Sequence, residues 1–364
     1  MFNLAKFSGR SFDWLLFLAV FFLIGFGLLA IYSVDLSRGS ELVYFKKQII
    51  ALGIGTIGLF ICSSLQYTFF KNYARWIYFA SIALLIGVLI FGQNIRGTTG
   101  WFNFAGFSFQ PVELAKAGII LMLAFVISNS GRQFDRARFF FYTLFLTLIP
   151  IFFVMGQPDL GSAVLLGSIW FCLMLVTGAK KSLIISFILL MLAGAVFSWF
   201  FLFEDYQKDR LVNFIDPARD PLGSGYNVLQ STIAVGSGKL FGRGLGFGSQ
   251  SQLRFLPETQ TDFIFSVIAE ELGFLGVAVI LILFLIIFWR LLSLASKTNN
   301  DFVALTTFGI AALLFSQFFI NIGANVGLLP VTGVTLPFVS YGGSSLMINL
   351  LLIGIVQSMV EKKY

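Results

Sequence analysis

An acidic residue at the head of a long apolar run is the first feature of this sequence that could do chemistry. Asp262 stands near the end of Phe255-Leu256-Pro257-Glu258-Thr259-Gln260-Thr261-Asp262-Phe263, and a largely apolar stretch follows. Glu258 lies one turn before it, and Lys239, Arg243 and Arg254 are close in sequence. A carboxylate that accepts a proton, next to cations that neutralise an anionic leaving group, is the basic equipment for displacing a phosphate-linked group. Arg210, where the same polar segment begins, is a further candidate substrate contact. A plainer reading also accounts for Asp262: it caps the helix that starts there, satisfying orphan backbone donors. Glu270 and Glu271 follow about two turns later. Neighbouring helical residues point roughly 100° apart, so these two do not form a tight dyad sharing a proton. Asp262, Glu270 and positions 266, 269 and 273 fall near one helical face, which is expected to line a polar cavity.

Other ionisable groups sit where a bilayer would disfavour them. Gln110-Pro111-Val112-Glu113-Leu114-Ala115-Lys116 opens an apolar run, with Pro111 suited to a first helical turn. An ionisable group at bilayer depth costs on the order of 3 kcal/mol, so Glu113 and Lys116, three residues apart, read either as an internal ion pair or as a substrate contact. Asp159, in Pro158-Asp159-Leu160-Gly161-Ser162, is placed to cap the next helix. Gly242-Arg243-Gly244-Leu245-Gly246-Phe247-Gly248 reads as a flexible loop, or as a backbone cradle that presents N–H groups and the Arg243 guanidinium to a diphosphate. It follows no strand, so it is not a nucleotide-binding fingerprint.

Composition limits what these residues can belong to. Of 364 residues 58% are hydrophobic and 11% charged, which makes the bilayer the solvent for most of the chain. With no histidine, imidazole bases, imidazole-dependent triads and the usual transition-metal ligand sets are excluded. Cys62 and Cys172 lie inside apolar runs and behave as small hydrophobes. The net charge of +7 is scattered between apolar runs and forms no basic stripe, so no nucleic-acid partner is expected.

Ten apolar runs, near residues 12–33, 46–65, 73–92, 112–129, 139–156, 160–177, 183–203, 263–289, 302–323 and 341–360, predict about ten transmembrane helices. The expected fold is an all-α polytopic membrane protein, one membrane domain over 1–364, with a large extracytoplasmic loop at 204–262 between helices 7 and 8. Basic residues alternate along the chain so that both termini are expected on the cytoplasmic side. Within the loop, Tyr226, Leu229 and Ile233 fall on one stripe of a helix suited to the interface.

The sequence resembles the SEDS family of cell-shape and division proteins over essentially its whole length. The resemblance is carried by Arg96-Gly97-Thr98-Thr99-Gly100-Trp101, the Gln110 to Lys116 motif, Gln157-Pro158-Asp159-Leu160-Gly161, the Pro257 to Phe263 stretch with Glu270-Glu271, and the segment from Asn321 to Ser345, including Pro337-Phe338-Val339-Ser340-Tyr341-Gly342-Gly343-Ser344. It implies a peptidoglycan glycosyltransferase of the elongation machinery, polymerising lipid II in the bacterial cytoplasmic (inner) membrane with its active site facing outward. The family's essential acid falls on Asp262 and its intramembrane pair on Glu113 and Lys116. Ser344, with Glu258, Lys239, Arg243 and Arg210, joins the expected substrate contacts. The implied partners are a class B penicillin-binding protein and other elongation-complex membrane proteins. A divalent cation, Mg or Mn, and no organic cofactor are expected. A lipid II flippase and a non-enzymatic scaffold are the alternatives.

Overall fold

Long apolar stretches separated by short polar or glycine-containing turns leave the backbone one way to satisfy its hydrogen bonds in lipid, and the chain takes it as helices. The computed structural model describes residues 12–37, 39, 42–95, 98–104, 107–131, 137–201, 208, 212, 214, 224–253, 255–256 and 258–360. The first three helices are α1 (Trp14–Ser37), α2 (Val43–Ser64) and α3 (Tyr67–Phe91). Next come β1 (Gln93–Ile95), β2 (Thr98–Phe104) and β3 (Phe107–Phe109), then α4 (Pro111–Ser128), α5 (Ala137–Met155), α6 (Leu160–Val176) and α7 (Lys181–Phe201). The long segment contributes α8 (Ser224–Ser237) and the single-turn α9 (Ser249–Gln252). The chain ends with α10 (Ile264–Lys297), α11 (Asp301–Asn325) and α12 (Gly343–Ser358).

Among the described residues eight helices are long and apolar enough to cross a membrane, and α6 and α12 are shorter apolar helices. Together they occupy the ten expected runs. The protein is a polytopic helical membrane protein. One addition breaks the all-helical expectation: β1, β2 and β3 form a small antiparallel meander between α3 and α4.

Three helix starts, those of α1, α6 and α11, are fixed by side chains that sequence chemistry would choose, whereas α10 has Phe263 and not Asp262 at its N-cap. Asp13 Oδ1 accepts from Leu16 N–H, and Asn300 Oδ1 accepts from Val303 N–H at the start of α11. Asp159 caps α6, accepting from both the N–H and the hydroxyl of Ser162. Asp159→Ala is therefore expected to lower stability by about 1 kcal/mol, read as a lower melting transition of the purified protein in detergent. At the opposite end of the bundle Asp13 also pairs with Arg290 at 2.6 Å and bonds Gln357, tying α1, α10 and α12 together.

α10 is not continuous. Gly273 has φ 65° and ψ −165°, so the helix breaks there. The orphaned groups are satisfied by the segment after α8: Phe274 and Leu275 N–H donate to the carbonyls of Lys239 and Leu240, while Glu270 and Glu271 carbonyls accept from Arg243 and Gly244 N–H. This close approach requires glycine on both sides. Gly242 and Gly273 both have positive φ, and a Cβ on either would overlap the other strand's backbone. Gly242→Ala should cost more than about 1–2 kcal/mol, because left-handed strain and the overlap add; the loss would be measured as reduced thermal stability.

Candidate active site

Asp262 lies in a turn immediately before α10, whose N-cap is Phe263. It is half-buried, while residues on either side, Thr261 and Phe263, are buried. The backbone around it is held by the segment that joins α11 to α12. Tyr341 N–H donates to the Gln260 carbonyl at 2.8 Å, and Ser340 hydroxyl donates to the Thr261 carbonyl at 2.7 Å. The Asp262 carbonyl accepts from Asn321 Nδ2 at 3.0 Å and Asn325 Nδ2 at 2.8 Å. Three successive carbonyls are thus bound, two by the segment that joins α11 to α12 and the third by α11 itself. Ser340 is anchored in turn, its carbonyl accepting from Gln48 Nε2 on α2.

Glu258 begins the same turn: its carbonyl accepts from Thr261 and Phe263 N–H, and Oε2 accepts from the Thr261 hydroxyl at 3.2 Å. Its φ of 49° is left-handed, a conformation that costs an L-residue on the order of 1–2 kcal/mol and that surrounding structure must impose. Lys239 adopts the same φ and is exposed. Arg243 is exposed as well, with Nη1 2.6 Å from Ser249 Oγ. Both cations belong to the helix break rather than to the Asp262 turn. Arg243 N–H meets the carbonyl of Glu270, six residues or about 9 Å of helical rise beyond Ile264. The glycine-rich loop is equally committed, because the N–H groups of Gly242, Arg243, Gly244 and Phe247 all donate to carbonyls within the protein. Those N–H groups cradle no diphosphate.

Several other expected residues are placed away from solvent. Glu270 and Glu271 are buried and do not line an open cavity: α9 packs over them. Glu270 accepts from Gln250 and Ser251 N–H, capping α9, and Glu271 accepts from Ser33 hydroxyl at 2.6 Å and Gln252 Nε2 at 3.1 Å. Lys116 Nζ lies 2.8 Å from Glu113 Oε2 with side chains 2% and 7% exposed, so the pair is enclosed within α4 and its neighbours. Ser344, expected at the substrate, is enclosed. It is 1% exposed, its hydroxyl donates to the Ser108 carbonyl and accepts from Gln110 N–H, and it ties α12 to the meander instead of facing a substrate. Arg210 and Arg254 lie outside the described residues. Of the stripe expected on α8, Leu229 and Ile233 are exposed and Tyr226 is half-buried, while Val228, Ser231 and Ala234 pack inward.

Asn321, Asn325 and Ser340 received no role from the sequence. The signal was present, since two carboxamides one turn apart inside an apolar span are costly in a membrane unless they serve a purpose. Among the described residues no group of three or more His, Cys, Asp or Glu side chains is placed to hold a metal ion.

These features define a multi-pass helical membrane protein with a carboxylate held at one end of the bundle. The chain matches the family described as cell cycle protein, that of FtsW, RodA and SpoVE, over residues 13–364, and it belongs to that family. It is 36% identical over 322 residues to the peptidoglycan glycosyltransferase MrdB of Escherichia coli (strain K12), covering 88% of this chain and 87% of the relative. It is similar to a chain solved under the description "Structural coordination of polymerization and crosslinking by a peptidoglycan synthase complex", with TM-score 0.80, 34% identity and coverage of 95% and 97%. The rod shape determining protein RodA of Thermus thermophilus superimposes with TM-score 0.72 and 30% identity, covering 96% of each chain.

Proposed function

We propose that this chain is a peptidoglycan glycosyltransferase that polymerises lipid II, a disaccharide-pentapeptide on undecaprenyl diphosphate, into glycan strands. The observation that carries the reading is Asp262, half-exposed on a turn whose carbonyls are fixed by the segment 321–341, in a family whose relative is named for this activity. Asp262 accepts the proton of the acceptor sugar's 4-hydroxyl as that oxygen attacks the donor's anomeric carbon. The new carbon–oxygen bond forms as the bond to the diphosphate breaks, the electron pair leaves with the diphosphate, and the α-linkage becomes β-1,4. An aspartate is a weak base at neutral pH, so holding the acceptor in line contributes more than proton affinity.

Lys239 and Arg243, exposed at the helix break, and Arg210 are the cations assigned to phosphate charge. A divalent cation such as Mg²⁺ or Mn²⁺ fits this donor set only as Mg²⁺ commonly binds, through substrate phosphates and one or two carboxylates, with Glu258 the candidate ligand. Its contribution when bound is neutralisation of charge on the departing diphosphate.

The reading places both termini in the cytoplasm and the Asp262 end outside the bacterial inner membrane, consistent with the basic residues of the sequence. It assigns a class B penicillin-binding protein as partner, supported by the similarity to a chain of a synthase complex that coordinates polymerization and crosslinking. Against transport, the Glu113–Lys116 pair is buried, with each charge facing the other at 2.8 Å. Purified protein with its transpeptidase partner in detergent, where no compartment exists to transport into, is expected to convert lipid II to glycan polymer on a gel. Substrate left unpolymerised by folded protein would defeat the enzyme reading in favour of a transporter or scaffold.

A further inference from the structure

We propose that Asn321 and Asn325 are positioning residues for the transfer reaction, acting on Asp262 through its main chain. The inference rests on the reading of Asp262 as the general base. A carbonyl oxygen has two lone pairs, and that of Asp262 has an amide donor on each, from adjacent turns of α11. Asn321 spends its second N–H on the Val334 carbonyl at 2.8 Å, and Asn325 spends its own on the Asn321 carbonyl at 2.9 Å. Neither amide can flip. Asn325 Oδ1 accepts from Ser266 N–H at 3.2 Å and from Ser266 hydroxyl at 2.7 Å, so rotating the amide would set N–H against N–H and oxygen against oxygen.

Ser266 N–H is one of the orphan donors in the first turn of α10. Asn325 therefore caps α10 from a different helix while gripping the residue just before its cap. The two sides of the Asp262 junction are locked to one side chain, and the main chain that carries it is held where Ser231 hydroxyl donates to the Asn325 backbone carbonyl. All the locking atoms are buried, with Asn325, Ser231 and Ser266 at 0% exposure and Asn321 at 2%. Asp262 alone is half-exposed. Misplacing a reacting group by about 1 Å can cost on the order of 10²-fold in rate, which is the scale of effect the clamp controls.

Asn325→Asp isolates this role. Ionised, the carboxylate keeps both acceptor contacts to Ser266 and cannot donate to the Asp262 carbonyl. Because burial favours the protonated, donating form, the assay is read across pH. Steady-state polymerisation of lipid II by the full chain with its transpeptidase partner is expected to show kcat reduced roughly 10- to 100-fold with KM within about threefold, when expressed per site that binds labelled lipid II. A purely structural role would instead reduce the number of binding-competent sites and leave kcat per site unchanged. Asn321→Leu, which removes the other donor without burying a charge, carries the same expectation if Asn325→Asp does not fold. Asp262→Asn in the same assay separates the two claims. With Asp262→Asn inactive, kcat per site within twofold of the parent in both asparagine variants overturns the clamp. An active Asp262→Asn overturns the general base, whatever the asparagines do.

Discussion

Asp262→Asn is expected to reduce glycan polymerisation by roughly 10²- to 10⁴-fold, the contribution typical of a positioned general base. The substitution is close to isosteric, and the carbonyl held by Asn321 and Asn325 is main chain and stays in place. Folding and lipid II binding should therefore persist, and the loss should appear in kcat. Asp262→Glu should recover only part of the rate, because one extra methylene moves the carboxylate relative to a backbone that cannot follow. The measurement is turnover of lipid II by purified variant, alongside its thermal melting curve and substrate binding.

The second large effect concerns the enclosed ion pair. Lys116→Met leaves Glu113 as a buried charge with its 2.8 Å partner removed, an arrangement that costs about 3–5 kcal/mol. Replacing both partners, as Glu113→Leu with Lys116→Met, should restore most of the stability, since a buried pair exchanged for apolar side chains is often neutral or better. Melting curves of the two single variants and the double variant measure the coupling. The polymerisation assay then decides the pair's second possible role. A stable and active double variant makes the pair purely structural, whereas a stable but inactive one requires Glu113 and Lys116 to serve the reaction directly.

Much of the fold was legible because hydropathy is a local, additive property. Runs such as 112–129 and 302–323 correspond to α4 and α11, and Asp159 capped the helix its position suggested. What stayed illegible depends on bonds between distant residues. The meander at 93–109 consists of strands of three, seven and three residues, too short for alternation to show. The break at Gly273 sits inside the run 263–289, and only the donors and acceptors around 239–244 reveal that the helix is interrupted and repaired there. For the same reason Glu270 looked like part of a cavity wall: it shares a helical face with Asp262 and Ser266, but α9 covers it. Lys239 and Arg243 are near Asp262 in sequence and are drawn away from it by their attachment to that break.

Within the site, Asp262 could be singled out by charge and place, while its support could not. Asn321 and Asn325 lie 59 and 63 residues from the carbonyl they hold. Ser340 is 79 residues from the carbonyl of Thr261. Residue type marked these side chains as anomalies in an apolar helix or turn, and only the packing of α11 against the start of α10 gives them a task.

The most direct test is a structure of the full chain bound to lipid II. The acceptor 4-hydroxyl should lie within about 3 Å of the Asp262 carboxylate, with a phosphate group nearest Lys239, Arg243 or Arg210. A sugar lodged inside the bundle against Glu113 and Lys116, with no hydroxyl able to reach Asp262, would contradict the account.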